Sequence, residues 1–165
     1  MGPEIDQIDR RILDALLRDG SLTQRDIAEE VGMSQNACWR RLKRLEQSGI
    51  LKGSRAVVDA AALGLELTVF VMIKTRKDSM EWSEDFRRHI EDIPQVVEFH
   101  RIGGEWDYML KVLTTGMAGY DKVYRRIITG FELDTVTGYF SMEPIFTDRP
   151  IQLEEVPALP RRPIR

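Results

Sequence analysis

An α+β chain in two parts is predicted by three observations. Apolar residues recur at helical spacing through about the first fifty positions. From Leu67 onward that period gives way to runs of β-branched and aromatic residues separated by two amphipathic stretches, in the order β-α-β-β-α-β. Between the two parts, Asp59–Leu65 carries no such pattern. The expected partition is residues 1–58, a linker at 59–66, a second domain at 67–153, and a tail at 154–165. The tail is expected to be disordered, because proline and arginine dominate it.

A first helix is expected over Asp6–Arg18. Ile8, Ile12, Leu13, Leu16 and Leu17 form its apolar stripe, Asp6 and Asp9 sit at its positive end, and Gly20 stops it. Thr23 with Asp26 three positions on reads as a capping box opening a second helix, with Ile27, Ala28 and Val31 facing inward. Gly32 supplies a left-handed corner, and Ser34 caps a third helix over Gln35–Gln47 whose inward residues are Cys38, Leu42 and Leu45. Ile50-Leu51 and Ala56-Val58, either side of Gly53, read as two short strands. Three helices and such a hairpin make a winged helix-turn-helix.

In the second part, strands are expected at Leu67–Thr75, Val96–Ile102, Asp107–Leu113 and Val136–Met142, with helices at Met80–Ile93 and Ala118–Ile128. This is the ferredoxin-like βαββαβ arrangement. Ile145–Leu153 is expected to add an edge strand or to exchange with a partner. The first strand is apolar on both faces: Leu67, Val69, Val71 and Ile73 on one, Phe70 and Met72 on the other. Two helices cover only one face of such a sheet. A second copy is therefore expected to cover the other, in a sheet-on-sheet homodimer.

Composition narrows the function. The chain has 165 residues, a net charge of −3 and 42% hydrophobic residues, which suits a water-soluble protein. Its beginning is polar, and no apolar run is long enough to span a bilayer, so the cytoplasm is the expected location and no membrane partner is expected. One cysteine and two histidines, His89 and His100, make a protein-bound metal or a disulfide unexpected. Cys38 reads as a small core residue, with redox sensing as the alternative.

The negative total hides a local excess of positive charge. From Ser34 to Ala56 there are six basic residues against one acidic residue. Third helices of this kind enter the major groove by their N-terminal end. Gln35 and Asn36 suit adenine and Arg40 suits guanine, with Ser34 at the cap and Trp39 placed against sugar or a thymine methyl, or else wedged on the second helix. Arg41, Lys43, Arg44, Lys52 and Arg55 are expected on phosphates. Double-stranded DNA with a pseudo-palindromic operator is the partner this predicts.

The same residues carry a resemblance. Ile5-Asp6-Gln7-Ile8-Asp9-Arg10-Arg11-Ile12-Leu13, Asp26-Ile27-Ala28 with Val31-Gly32-Met33-Ser34, and Arg41-Leu42-Lys43-Arg44-Leu45-Glu46 with Gly49-Ile50-Leu51 resemble the Lrp/AsnC, or feast/famine, transcription regulators. Gly104-Glu105-Trp106-Asp107-Tyr108 resembles that family's Gly-x-x-Asp-Tyr turn, and Met142-Glu143 follows in order. Cys38–Glu46, Phe70–Thr75 and Glu81-Trp82 most resemble a cysteine-responsive branch.

The resemblance implies an amino-acid effector, cysteine or a related sulfur amino acid first, bound between subunits near that turn. It implies no other cofactor, and an assembly that is a dimer or an octamer. Gly103 and Gly104 would offer backbone N–H groups to a carboxylate. Glu105 or Asp107 would meet the ammonium group. Trp106, Tyr108 and Tyr139 would form walls, with Thr137 and Ser141 as hydrogen bonders. A plain hairpin turn beside core aromatics is the competing reading of these residues. Two other functions compete: a tetrapyrrole enzyme resembling the sirohaem decarboxylases, on His100 and Arg101, and an adaptor whose basic helix docks an acidic protein. No nucleophile, general base or carboxylate pair has usable spacing, so no enzyme is expected.

Overall fold

The computed structural model describes residues 5–76 and 79–153, so the expected tail at 154–165 lies outside the described residues. The chain forms two compact units. One comprises the chain up to Val57 together with the stretch from Phe146 onward, and the other is Val58–Ile145.

The first unit holds α1 (Gln7–Arg18), α2 (Gln24–Val31) and α3 (Gln35–Gln47). Capping chemistry sets each start. Asp6 accepts from the Asp9 amide at 2.8 Å while the Asp9 carboxylate accepts from the Asp6 amide at 3.1 Å. Thr23 and Asp26 repeat that exchange at α2, and the Ser34 hydroxyl accepts from the Ala37 amide at α3. Loss of one such cap costs about 1 kcal/mol. Gly32, at φ 72°, closes α2 and turns the chain into α3, a conformation that penalises any side chain. Helix α1 ends at Arg18 as expected, with Asp19 rather than Gly20 at its C-cap. The Asp19 carboxylate takes the Ser21 amide and hydroxyl at 2.9 and 2.6 Å, which pulls the backbone out of the helix. Ile12, Leu13, Ala15, Ile27, Ala28, Val31, Cys38 and Leu45 make the core.

Two expectations fail in this unit. The hairpin strands at 50–51 and 56–58 are absent. The Ile50 and Leu51 amides both donate to the Leu45 carbonyl, at 3.1 and 3.0 Å, and both side chains pack on the core. Those two residues therefore finish α3 rather than start a ladder. The stretch 145–153 is no edge strand either. It runs to the helical core, where Leu153 is buried and its carbonyl accepts from Arg10 Nη1 at 2.9 Å.

The second unit holds β1 (Leu67–Thr75), α4 (Met80–Glu91), β2 (Val96–Arg101), β3 (Tyr108–Thr114), α5 (Met117–Ile128) and β4 (Leu133–Phe140). Before it, the Asp59 carboxylate accepts from the Ala61 and Ala62 amides and organises a turn in the linker. The sheet order is β2-β3-β1-β4, antiparallel throughout. Val69, Val71, Ile73, Leu110 and Val112 point to the helices and are fully buried. Phe86 of α4 stacks on Trp82 at 5.1 Å and meets Phe131 and Tyr108 at 5.1 and 5.4 Å, each such pair adding about 0.5–1.5 kcal/mol to plain burial.

The other sheet face carries Phe70 and Met72 of β1, opposite Tyr139 and Thr137 of β4 and Lys111 and Met109 of β3. These apolar side chains are only half-buried, and Tyr139 is 53% exposed. One face of the sheet is thus packed by helices, and the opposite face is left partly apolar.

Candidate DNA interface and effector region

Helix α3 presents three faces, because each residue turns the helix by about 100°. Cys38 and Leu45 point into the core, with Leu42 at its edge. Asn36, Arg40 and Lys43 lie at helical spacing on the outer side and are exposed, as are Gln35 and Trp39. Trp39 keeps half of its surface exposed. Ser34 is occupied as the cap, and the Gln35 carbonyl accepts from Gln24 Nε2 at 2.9 Å, which ties α2 to the start of α3. Arg40, Lys52 and Arg55 are exposed and make no ion pair with any described residue. Lys43 meets Glu46 at 2.7 Å, an exposed pair that contributes at most about 1 kcal/mol and that a phosphate can displace.

The third face pairs with acids of the same chain. Arg41 and Arg44, assigned from sequence to phosphates, turn toward the start of α1. Arg41 Nη1 contacts Asp6 at 2.6 Å and Asp9 at 2.8 Å, and Arg44 pairs with the other Asp9 oxygen. Asp9 is fully buried. For Asp6, partial burial works against the charged form. The Arg41 guanidinium and the Asp9 amide outweigh it and hold the carboxyl below its ordinary value. Sequence reasoning treated Asp6 and Asp9 only as complements to the helix dipole. The missed signal was the matching spacing: two acids three apart on α1 and two arginines three apart on α3.

Cys38 is fully buried, and burial pushes its thiol pKa up, which leaves little thiolate for redox chemistry.

In the second unit the turn between β2 and β3 is closed by the Ile102 amide donating to the Asp107 carbonyl at 2.9 Å. Gly103, Gly104 and Glu105 are exposed and Trp106 is half-buried. Gly104 sits at φ 122°, and a Cβ there or at Gly103 would meet nothing within 4 Å, so a ligand can reach the backbone. The Asp107 carboxylate faces β1 instead of solvent. It accepts from the Thr75 amide at 2.7 Å and the Thr75 hydroxyl at 3.0 Å, so it braces the turn to the strand end.

The remaining effector candidates are not gathered within one chain. Strand alternation puts Tyr108 on the helix side with Leu110 and Val112, where its hydroxyl reaches Ser83 at 3.4 Å. Thr137 and Tyr139 lie on the open face, opposite Met72 and Phe70. Ser141 donates its amide to Thr68, five residues or about 17 Å along β1 from the turn's partner Ile73. Sequence reading also missed a cleft beside Tyr108, lined by Ser83, Arg87, Glu91, Phe99 and Arg101. Its signal was the Arg87–Glu91 spacing on α4, which places both charges on one helix face. Among the described residues no group of histidine, cysteine and carboxylates could hold a metal, and no helix is long and apolar enough to cross a membrane.

Comparison with known proteins follows this division. Residues 5–52 match the winged helix-turn-helix DNA-binding family, and residues 68–151 match the Lrp/AsnC ligand binding domain. The chain is 42% identical over 142 residues to the DNA-binding transcriptional activator DecR of Escherichia coli K12, covering 86% of this chain and 93% of that protein. It is 36% identical over 142 residues to the glutamate uptake regulatory protein of Zymomonas mobilis, covering 86% and 87%. Among solved structures, an AsnC family transcriptional regulator from Agrobacterium tumefaciens superposes with a TM-score of 0.85 at 36% identity, covering 92% of this chain and 99% of that one. A transcriptional regulator from Neisseria meningitidis in complex with L-Met gives 0.83 at 28% identity, covering 90% and 96%.

Proposed function

This chain belongs to the Lrp/AsnC family of DNA-binding transcription regulators, and from that premise we propose that it binds a pseudo-palindromic operator as a homodimer in the cytoplasm and changes its hold on DNA when an amino acid binds its second unit. The observation that carries the reading is the outer face of α3. Gln35, Asn36 and Arg40 stand exposed at its leading end, mounted on a packed three-helix core. Amide and guanidinium groups there have the donor and acceptor geometry that base edges in the major groove require. Lys43, Lys52 and Arg55 add phosphate contacts, and Trp39 packs on the sugar edge.

Dimerisation is supported by the half-apolar open face of the sheet, which a second copy buries. The dispersal of Thr137, Tyr139, Ser141 and the 103–107 turn within one chain supports an effector site completed by another subunit, in a dimer or an octamer. An amino-acid effector is supported by the ligand-binding family of the second unit and by the L-Met complex of a structural relative. Cysteine and methionine are the first candidates, on the resemblance to the cysteine-responsive branch. The relatives are named as transcription regulators, not enzymes, which disfavours the tetrapyrrole reading. The adaptor reading has no observation in its favour.

The test is a footprint of the purified protein on its own upstream region, with and without each natural amino acid, beside a thermal-shift screen of the same set. The effector raises Tm in proportion to the logarithm of its concentration above Kd and alters the footprint. No protected region on that DNA would overturn the reading. A footprint that no amino acid alters would overturn the effector assignment.

A further inference from the structure

The four-residue cluster at the junction of α1 and α3 is more than a packing brace. Asp6 and Asp9 carry two negative charges, and Arg41 and Arg44 carry two positive ones, so the cluster is neutral as a whole. Its contacts are ion pairs and a cap: Arg41 to both carboxylates, Arg44 to Asp9, and the two reciprocal backbone bonds of the α1 cap. Asp9 is fully buried, and the Arg41 side chain is 24% exposed. Arg40, one position earlier, points about 100° away and makes no such pair.

We propose that Asp9, assisted by Asp6, is a positioning residue for DNA recognition: it withholds Arg41 and Arg44 from the phosphate backbone and holds α3 in one rotation, so that Arg40 and Asn36 meet the base edges. The proposal rests on the DNA-binding reading above.

The physical argument compares competing anions. A guanidinium that leaves Asp9 for a phosphate abandons a buried carboxylate, and an unpaired buried charge is strongly disfavoured. The carboxylates are also covalently held beside the arginines, whereas a phosphate must be recruited from solution. Freed, two flexible cations would bind any duplex. They would strengthen non-specific binding, which depends on charge alone, without helping the base-reading contacts. The two acids thus improve discrimination by lowering the number of cations offered to random DNA.

The experiment measures affinity of full-length Asp9→Asn and Asp6→Asn for the promoter duplex and for a random duplex across a salt series. Asparagine keeps the α1 cap, and where Asp9→Asn fails to fold, Arg44→Gln gives the reading: removing a withheld Arg44 leaves the salt slope unchanged, whereas removing a phosphate-bound Arg44 makes it shallower by roughly 0.9 and overturns the proposal. The expected result for Asp9→Asn is tighter binding to random duplex and a promoter-to-random ratio several-fold lower than wild type, while Asp6→Asn, in which Asp9 still pairs with both arginines, stays close to wild type. The salt dependence steepens by roughly 0.9 for each arginine released, up to about 1.8 for Asp9→Asn. A merely structural brace would weaken both duplexes together with an unchanged or shallower slope, and that result overturns the proposal. If the unsubstituted protein itself shows no promoter preference, the underlying DNA-binding reading fails as well. If it does show preference while Asp9→Asn does not steepen the slope, only the withholding role fails.

Discussion

At the scale of residues, the same side-chain types serve different ends according to what lies opposite them. Arg40 and Arg41 are neighbours in sequence, yet one is exposed and unpaired among the described residues while the other is committed to two carboxylates. Asp107 is likewise committed within its own chain. It sits in the turn that resembles an effector-binding motif, but its carboxylate accepts two hydrogen bonds from Thr75. Asp107→Ala removes the acceptor for a part-buried backbone amide and is expected to destabilise the second unit by about 1–3 kcal/mol. Urea unfolding followed by tryptophan fluorescence measures this, because Trp82 and Trp106 lie in that unit. Unchanged stability would show that the brace is dispensable and return Asp107 to the ligand. The caps at Thr23, Asp26 and Ser34 were legible in the sequence because their partners lie within three residues. The partners of Arg41, Arg44 and Asp107 lie thirty-two or more residues away, beyond the reach of a reading confined to one helix or turn.

At the scale of elements, periodicity carried most of the fold. Every expected helix and the four strands expected between Leu67 and Met142 are present, with ends displaced by a few residues. Two short segments were misread for one reason: alternation of apolar residues over a few positions does not distinguish a strand from an irregular strap. Ile50 and Leu51 are drawn into the end of α3. In the strap, Ile145, Phe146 and Ile151 remain 78%, 62% and 66% exposed, and only Leu153 reaches a core. That core is the one around Ile12, Leu13 and Leu45, so the chain's later residues complete its first unit. Leu153→Ala is expected to lower the stability of the helical unit by about 2 kcal/mol, near the lower end for a buried leucine because this site lies at the core's edge. Hydrogen exchange resolves the effect: α1 and α3 amides lose protection while those of β1 and β3 do not. Loss of protection in the sheet instead would contradict the assignment of the strap to the first unit.

At the scale of the whole molecule, one unit offers cations and amides on a rigid helix, and the other offers a sheet with an incompletely covered face. The fold class was legible because the switch from helical to strand periodicity near residue 66 is abrupt. The basic outer face of α3 was also legible, as a run of charge in an otherwise acidic chain. The proposed effector residues were less so, since strand alternation separates Tyr108 from Thr137 and Tyr139 within one chain. The central claim is that base reading and phosphate holding are divided between Arg40 and residues such as Lys52. The most direct measurement is the ratio of promoter to random-duplex affinity, at one salt concentration, for wild type, Arg40→Ala and Lys52→Ala. Loss of a bidentate guanine contact is worth about 1–3 kcal/mol, so Arg40→Ala lowers the ratio by roughly five- to 150-fold. Lys52→Ala weakens both duplexes alike and leaves the ratio unchanged. Equal ratios in all three proteins, or a collapse caused by Lys52→Ala, would contradict the account.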